Sequence, residues 1–427
     1  MEAISYLTGL SVLLIIGIIA TIVARKLRVS SILFFILIGI FIANLPSTKG
    51  GVLDFPPDFL IAIALLTLAM IVFDGSSRLS LHELDKQSTR AVELVVAFIV
   101  MNALLVGGGA ILLFIEPSVQ GFLLAIIFAV IMAGTDPGSV FILLGETKHR
   151  VLEFLRLEAV LNTPVVVIIP FLLLDIVHGV RQLTVESTFN DLLLPLLQQV
   201  IVGIGTGLLI GVIVFRLMRK HYSKSLSPVV VIATTIFAYV TAEQLAGNGI
   251  VAVATLGLLF GNTYVKRKGR LVEFSSILST SLNILVFLMV GMLVVIDFDL
   301  AFFIKSLALF VIAIIARFLA VVISLHGSEF KWREKLFMSL HMPKGIAVAV
   351  VTLTLAVLWP GLNELLTLMI LFMVYSLILG SVTDRFSKYF IKKDILPEEA
   401  PVLPSTAPAK QATAKPSSSK PKKRAKK

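Results

Sequence analysis

Asp136 lies in Gly134-Thr135-Asp136-Pro137, a break between the apolar stretches Phe122–Ala133 and Val140–Leu144. A carboxylate near mid-bilayer costs about 2.5–3.5 kcal/mol on insertion scales, so it must face protein or water rather than lipid. Pro137 has no backbone N–H, which leaves the carbonyl of Ala133 without its helical partner, and Gly134 lets the chain unwind beside it. A freed carbonyl, the Thr135 hydroxyl and the Asp136 carboxylate then fall within four residues, all hard oxygen ligands of the kind small cations take. The same residues also read as a proline kink whose Asp caps the following half-helix.

Further polar residues interrupt apolar sequence. In Leu157-Glu158-Ala159-Val160-Leu161-Asn162-Thr163-Pro164, Glu158 and Asn162 are four apart and share one helix face, with Thr163 about 100° around from Asn162. Pro164 removes the hydrogen bond to Val160, so the backbone is loosened here as well. Asn162 reads either as a site residue or as an interhelical hydrogen bond that stitches the bundle. Arg317 is far from either end of its apolar run and cannot snorkel, so it needs an acidic partner, and Glu158 is the one expected. Lys344, in His341-Met342-Pro343-Lys344-Gly345, either offsets half-helix dipoles or reaches the cytoplasmic interface. Asp74 and Glu243 stand near run ends, where Asp74 could line a cation entrance and either could simply be solvated.

The elements that must position these residues are membrane helices. Of 427 residues, 57% are hydrophobic and 15% charged, too apolar for a soluble domain of this length. Thirteen apolar runs are expected, near 4–24, 31–45, 57–74, 91–115, 119–145, 157–178, 192–218, 227–246, 249–265, 274–297, 300–325, 336–359 and 363–383. Alternate loops are rich in Lys and Arg, which orients the N-terminus outside and the C-terminus in the cytoplasm. The first run is long enough to span and has no basic leader, so no cleavable signal is expected. Cysteine is absent and no H-E-x-x-H spacing occurs, which excludes thiolate chemistry and the commonest zinc motif. No nucleophile–base pair or phosphate loop is visible, so an enzyme is not expected, nor is any cofactor.

The net charge of +11 resolves on location: Lys410, Lys415, Lys420, Lys422, Lys423, Arg424, Lys426 and Lys427 supply eight of these charges. The segment 397–427 is expected to be a disordered cytoplasmic tail drawn to anionic lipid headgroups, not a nucleic-acid binder.

The break at Thr135-Asp136-Pro137 in the fifth run is echoed at Pro343-Lys344-Gly345 in the twelfth. Two six-helix units joined by the seventh run, near 192–218, would place each break in the fifth helix of its unit, with one unit inverted. Matched broken helices in inverted halves point to a midplane binding site in a secondary transporter.

Together with Glu158-x-x-x-Asn162, Gly247-Asn248-Gly249-Ile250-Val251-Ala252-Val253, Gly257-Leu258-Leu259-Phe260-Gly261-Asn262 and Arg317, these breaks resemble the sodium/proton antiporters of the NhaP and eukaryotic NHE type, in the cation/proton antiporter superfamily. The resemblance covers about residues 5–390. It implies an all-α antiporter domain over 1–396 that forms a homodimer, with a dimerisation part near 1–90 and 227–297 and a mobile core near 91–178 and 300–390. It also implies that the fifth and twelfth helices cross at the ion site and that the core moves like an elevator. By that resemblance Asp136, Thr135 and Asn162 hold the ion and Glu158 braces Arg317, while Asp74 stands where many members have Glu.

One residue departs from the pattern. The family's Asn-Asp pair is Asn162-Thr163 here, and the missing Asp is normally the principal proton- and ion-carrying carboxylate. Thr163 offers an oxygen but does not titrate, which leaves Asp136 to carry the proton. The expected function is exchange of a monovalent cation for protons in the cell membrane, serving pH homeostasis. Sodium is the first expectation, with potassium and lithium as alternatives, and the weaker field at the site shifts preference towards potassium. The competing reading is a transport-inactive relative that acts as a sensor or partner-binding protein.

Overall fold

A computed structural model describes residues 2–27, 29–44, 55–77, 84–136, 149–178, 194–220, 223–263, 268–293 and 299–391. Pro137 and the basic tail, both singled out above, lie outside the described residues. Long apolar stretches become helices because only intrasegment bonding satisfies the backbone where water is absent. In chain order the helices are α1 (Glu2–Leu27), α2 (Ser31–Ala43), α3 (Pro57–Ser77), α4 (Leu84–Met101), α5 (Gly107–Leu113), α6 (Val119–Ile131), α7 (Arg150–His178) and α8 (Leu194–Lys220). They continue as α9 (Leu226–Gln244), α10 (Gly249–Asn262), α11 (Lys268–Met292), α12 (Leu300–Ser324), α13 (Trp332–Leu340), α14 (Ile346–Leu358), α15 (Asn363–Arg385) and the short α16 (Ser387–Phe390).

A helix lies in each of the thirteen apolar runs; the fourth is carried by α4 and α5, and the twelfth by α13 and α14. Among the described residues eight segments are long and apolar enough to cross a membrane, and α2, α6, α10 and α14 are shorter apolar helices. One element differs from the expectation of plain helix. Between α4 and α5 the chain widens into a π-helical turn, Asn102–Val106. The sequence signal was weak, because a π turn has no periodicity of its own and the run stays apolar through it.

Two groups of packed helices emerge from the contacts. In one, α11 lies against α1, α2 and α3, while α10 is held between α3, α8 and α9. The α2–α11 crossing is close because Gly39 meets Gly291: a Cβ on Gly39 would stand 2.3 Å from the Leu288 carbonyl oxygen. In the other group α4 packs on α7 and α12, α6 on α7, α12 on α13, and α14 on α7 and α15. Helix α14 also touches α3 and α11, which joins the groups. Large apolar side chains remain exposed along α1 (Ile15, Ile18, Ile22), α8 (Ile201, Leu209, Ile213) and α12 (Ile304, Leu307, Val311), faces suited to lipid.

Candidate cation site

Helix α6 starts on Ser118, whose hydroxyl accepts from the N–H of Gly121 at 3.0 Å. At its other end the last turn tightens: Ala133 N–H donates to Val130 and Gly134 N–H to Ile131, each at 3.0 Å, and residues 134–136 leave the helix. Tightening of this kind, with Pro137 following, strips the carbonyls of Ala129 and Ala133 of their helical donors. Both find side-chain amides instead. Asn162 of α7 donates Nδ2–H to Ala133 O at 2.6 Å, and Asn102 of the π turn donates to Ala129 O at 2.9 Å.

The second break runs from His341 to Gly345, between α13 and α14. The two breaks meet through main chain: Asp136 N–H donates to Pro343 O at 3.0 Å. A Cβ on Gly345 would stand 2.6 Å from Asp136 Cβ and 2.7 Å from its Oδ1, so only glycine lets the strands cross here. Gly134 is similarly crowded, its imaginary Cβ 2.7 Å from Val348 Cγ2 and 3.1 Å from Val166 Cγ1. Lys344 N–H is held by the Ser376 hydroxyl of α15 at 3.0 Å.

Around this crossing the charges come in two signs. Arg317 of α12 makes a two-pronged pair with Glu158 of α7, Nη1 to Oε1 at 2.9 Å and Nη2 to Oε2 at 2.8 Å. Its Nε also donates to Met338 O at 3.3 Å, which ties α12 and α7 to α13. Both side chains are fully buried, at 0% and 1% exposure. Thr135 Oγ1 completes the group with a long bond to Glu158 Oε1, 3.4 Å. Both carboxylate oxygens of Glu158 are thereby engaged, which suits a brace more than an ion ligand.

Lys344 is also fully buried, so it does not reach the cytoplasmic interface. Its Nζ has no hydrogen-bond partner among the described residues and stands 5.5 Å from the ring centre of Phe98 in α4. Arg317 lies over the same ring, Cζ 4.6 Å from the centre. Phe98 thus offers its π face to both cations, a role hidden in the sequence because the residue is one apolar member of an apolar run.

The remaining positions fall around this centre. Asp136 is buried, at 5% exposure. Thr163 is buried too, but its Oγ1 donates to Ala159 O of its own helix at 2.8 Å, leaving its lone pairs to accept. Pro164 is absorbed within α7, which stays helical through it. Asp74 is half-buried on α3, next to Gly75, whose Cβ would touch Val160 of α7 at 3.8 Å. Glu243 is exposed, yet its Oε1 accepts from Gly249 N–H at 2.8 Å, so it caps the start of α10.

The unwound end of α6 and the interruption between α13 and α14 are hydrogen-bonded to each other with buried charges beside them, an arrangement of the kind that discontinuous membrane helices present. The chain belongs to the sodium/hydrogen exchanger family: the family model for the transmembrane sodium/hydrogen exchanger matches residues 10–387. It is 28% identical over 348 residues to the K(+)/H(+) antiporter NhaP of Alkalimonas amylolytica, covering 79% of this chain and 58% of that protein. It is 24% identical to the K(+)/H(+) antiporter NhaP2 of Shewanella oneidensis, covering 93% and 67%, and 24% identical to the Na(+)/H(+) antiporter ApNhaP of Aphanothece halophytica, covering 61% and 52%. The chain therefore spans only part of the length of these relatives. The fold is like that of the sodium proton antiporter MjNhaP1 of Methanocaldococcus jannaschii, with a TM-score of 0.72 at 21% identity, covering 93% of this chain and all of that one.

Proposed function

We propose that this chain exchanges a monovalent cation for a proton by competition at one carboxylate, Asp136. The observation that carries the reading is the crossing itself. Asp136 is buried at the point where the two breaks are bonded, beside the C-terminal end of α6, whose partial negative charge favours a cation. The oxygens of Asn162 and Thr163 on α7 and the backbone about Thr135 serve as neutral ligands.

Charge balance supports a one-for-one exchange. Asp136, Glu158, Arg317 and Lys344 carry two charges of each sign when ionised, so a bound cation or a bound proton brings the centre to the same net charge. Transport is then electroneutral. With Thr163 where a second carboxylate would add field strength, a larger and more easily dehydrated ion is favoured, and potassium is the cation to test first, ahead of sodium and lithium. Relatives named for potassium and for sodium exchange are both in keeping with such a site.

The group formed by α4–α7 and α12–α15 would move as an elevator core against α1–α3 and α9–α11. The latter would form the homodimer contact, with α8 as the linker. The setting is the cytoplasmic membrane, N-terminus outside, with the basic segment 410–427 near anionic lipid on the inner side.

The test is cation-driven proton flux in proteoliposomes with sodium, lithium and potassium, for the native chain, Asp136→Asn and Thr163→Asp. Flux that disappears in Asp136→Asn supports the reading. Thr163 bonded back to its own helix, with no carboxylate there, favours one rival, a transport-inactive sensor. No native flux but activity in Thr163→Asp would put that rival first.

A further inference from the structure

Asn102 and Asn162 do the same thing to the same half-helix. Each is wholly buried, and each spends its amide N–H on a carbonyl that the end of α6 leaves without a donor, Ala129 and Ala133 respectively. Because the partner is a carbonyl, the amide nitrogen must face it, and Oδ1 is the atom turned the other way. In both residues that Oδ1 is buried and has no hydrogen-bond partner among the described residues. A buried acceptor left without a donor calls for an explanation, and an absent ion or water is among the usual ones. Here there are two, on two different helices, flanking one helix end.

The local backbone adds a second observation. The π turn begins at Asn102, within an otherwise α-helical segment, and single π turns of this kind recur at functional sites. Without that turn α4 would keep its regular register past α6. Ala129 and Ala133 are four residues apart in sequence at the end of α6, so the two amides serve the same helix end.

We infer that Asn102 is a further ligand of the transported cation, its Oδ1 acting with that of Asn162 as a pair of neutral oxygens beside the Asp136 carboxylate. The inference rests on the exchange reading above and deepens it. Neutral amide oxygens supply part of the shell that a second carboxylate would otherwise fill, with a weaker field and therefore a leaning towards potassium.

The experiment uses the full chain, purified in detergent and reconstituted, and reads two things: the rise in Tm caused by KCl over choline chloride, and the apparent KM for potassium in flux. Asn102→Leu removes both donor and oxygen. Asn102→Asp removes the donor to Ala129 but keeps an oxygen. Expected results are a loss of the potassium-dependent Tm rise and an apparent KM about tenfold higher in Asn102→Leu with Vmax within about twofold, and a retained response in Asn102→Asp that shifts towards sodium. A native potassium KM in Asn102→Leu overturns the inference, as does an Asn102→Asp protein that loses the potassium response and gains none to sodium, since either makes Asn102 a clamp on Ala129 only. If Asn102→Leu does not fold, the Asn102→Asp response decides alone. A native chain with neither flux nor a cation-dependent Tm rise instead removes the exchange reading on which the inference rests.

Discussion

Asp136 and Pro343 are joined main chain to main chain: the N–H of one donates to the carbonyl of the other at 3.0 Å. The backbone thereby fixes where the carboxylate stands. Changing the side chain should leave the crossing intact. Asp136→Asn is expected to keep its Tm within about 2–4 °C of the native chain while losing cation-driven proton flux; a collapse in Tm alongside the flux would show that the carboxylate holds the fold.

Gly345 is where that crossing is tightest. Gly345→Ala puts a methyl 2.6 Å from Asp136 Cβ, and the contact cannot be relieved by a side-chain rotation because backbone Cα is also only 2.9 Å away. Overpacking of this kind costs about 1–3 kcal/mol. Flux should fall with it, and thermal melting in detergent measures the stability loss directly.

Glu158 and Arg317 are a buried pair with both prongs made. Removing one partner strands a charge, so Glu158→Leu or Arg317→Leu should each destabilise by about 3–5 kcal/mol. The double variant Glu158→Leu/Arg317→Leu should recover much of that loss. Its flux separates two roles: recovery of transport would make the pair a brace alone, whereas stable but inactive protein would tie it to the ion centre.

The Asn162 amide holds the end of α6 at Ala133. Asn162→Ala leaves that carbonyl buried and unpaired, at a cost of about 1–3 kcal/mol. Flux should fall further than in Asn102→Leu, because Asn162 caps the carbonyl nearest the break. Equal losses of flux at the two positions would show that distance from the break does not decide how much each amide matters.

Thr163→Asp returns a carboxylate beside Asn162. A stronger field favours the smaller, more strongly hydrated ion, so the ratio of apparent KM values for sodium and potassium should move towards sodium by about tenfold. A ratio that stays put would mean that Thr163 is not near enough to the ion to matter.

The sequence determined the membrane class, the run-by-run placement of helices and the position of the two breaks. Each depends on local chemistry: apolar stretches of spanning length, and prolines that remove a donor whatever surrounds them. It also isolated Arg317 and Glu158, because a charge deep in an apolar run stands out against its neighbours. What it could not express is where the freed groups find partners. Asn102 and Phe98 are unremarked in sequence, one an amide among apolar residues and the other one Phe of 29, and they gain meaning only when α4 is laid against α7 and α12 and its π turn against α6. Gly345 reads as a helix breaker until the crossing shows that a Cβ would collide with Asp136. Lys344 was open to two readings, and burial excluded the interfacial one. The reason is physical: a proline or a charge acts on its own few residues, while a capped carbonyl, a shared ring face and a glycine contact each need atoms from segments far apart in the chain, and only tertiary packing brings those together.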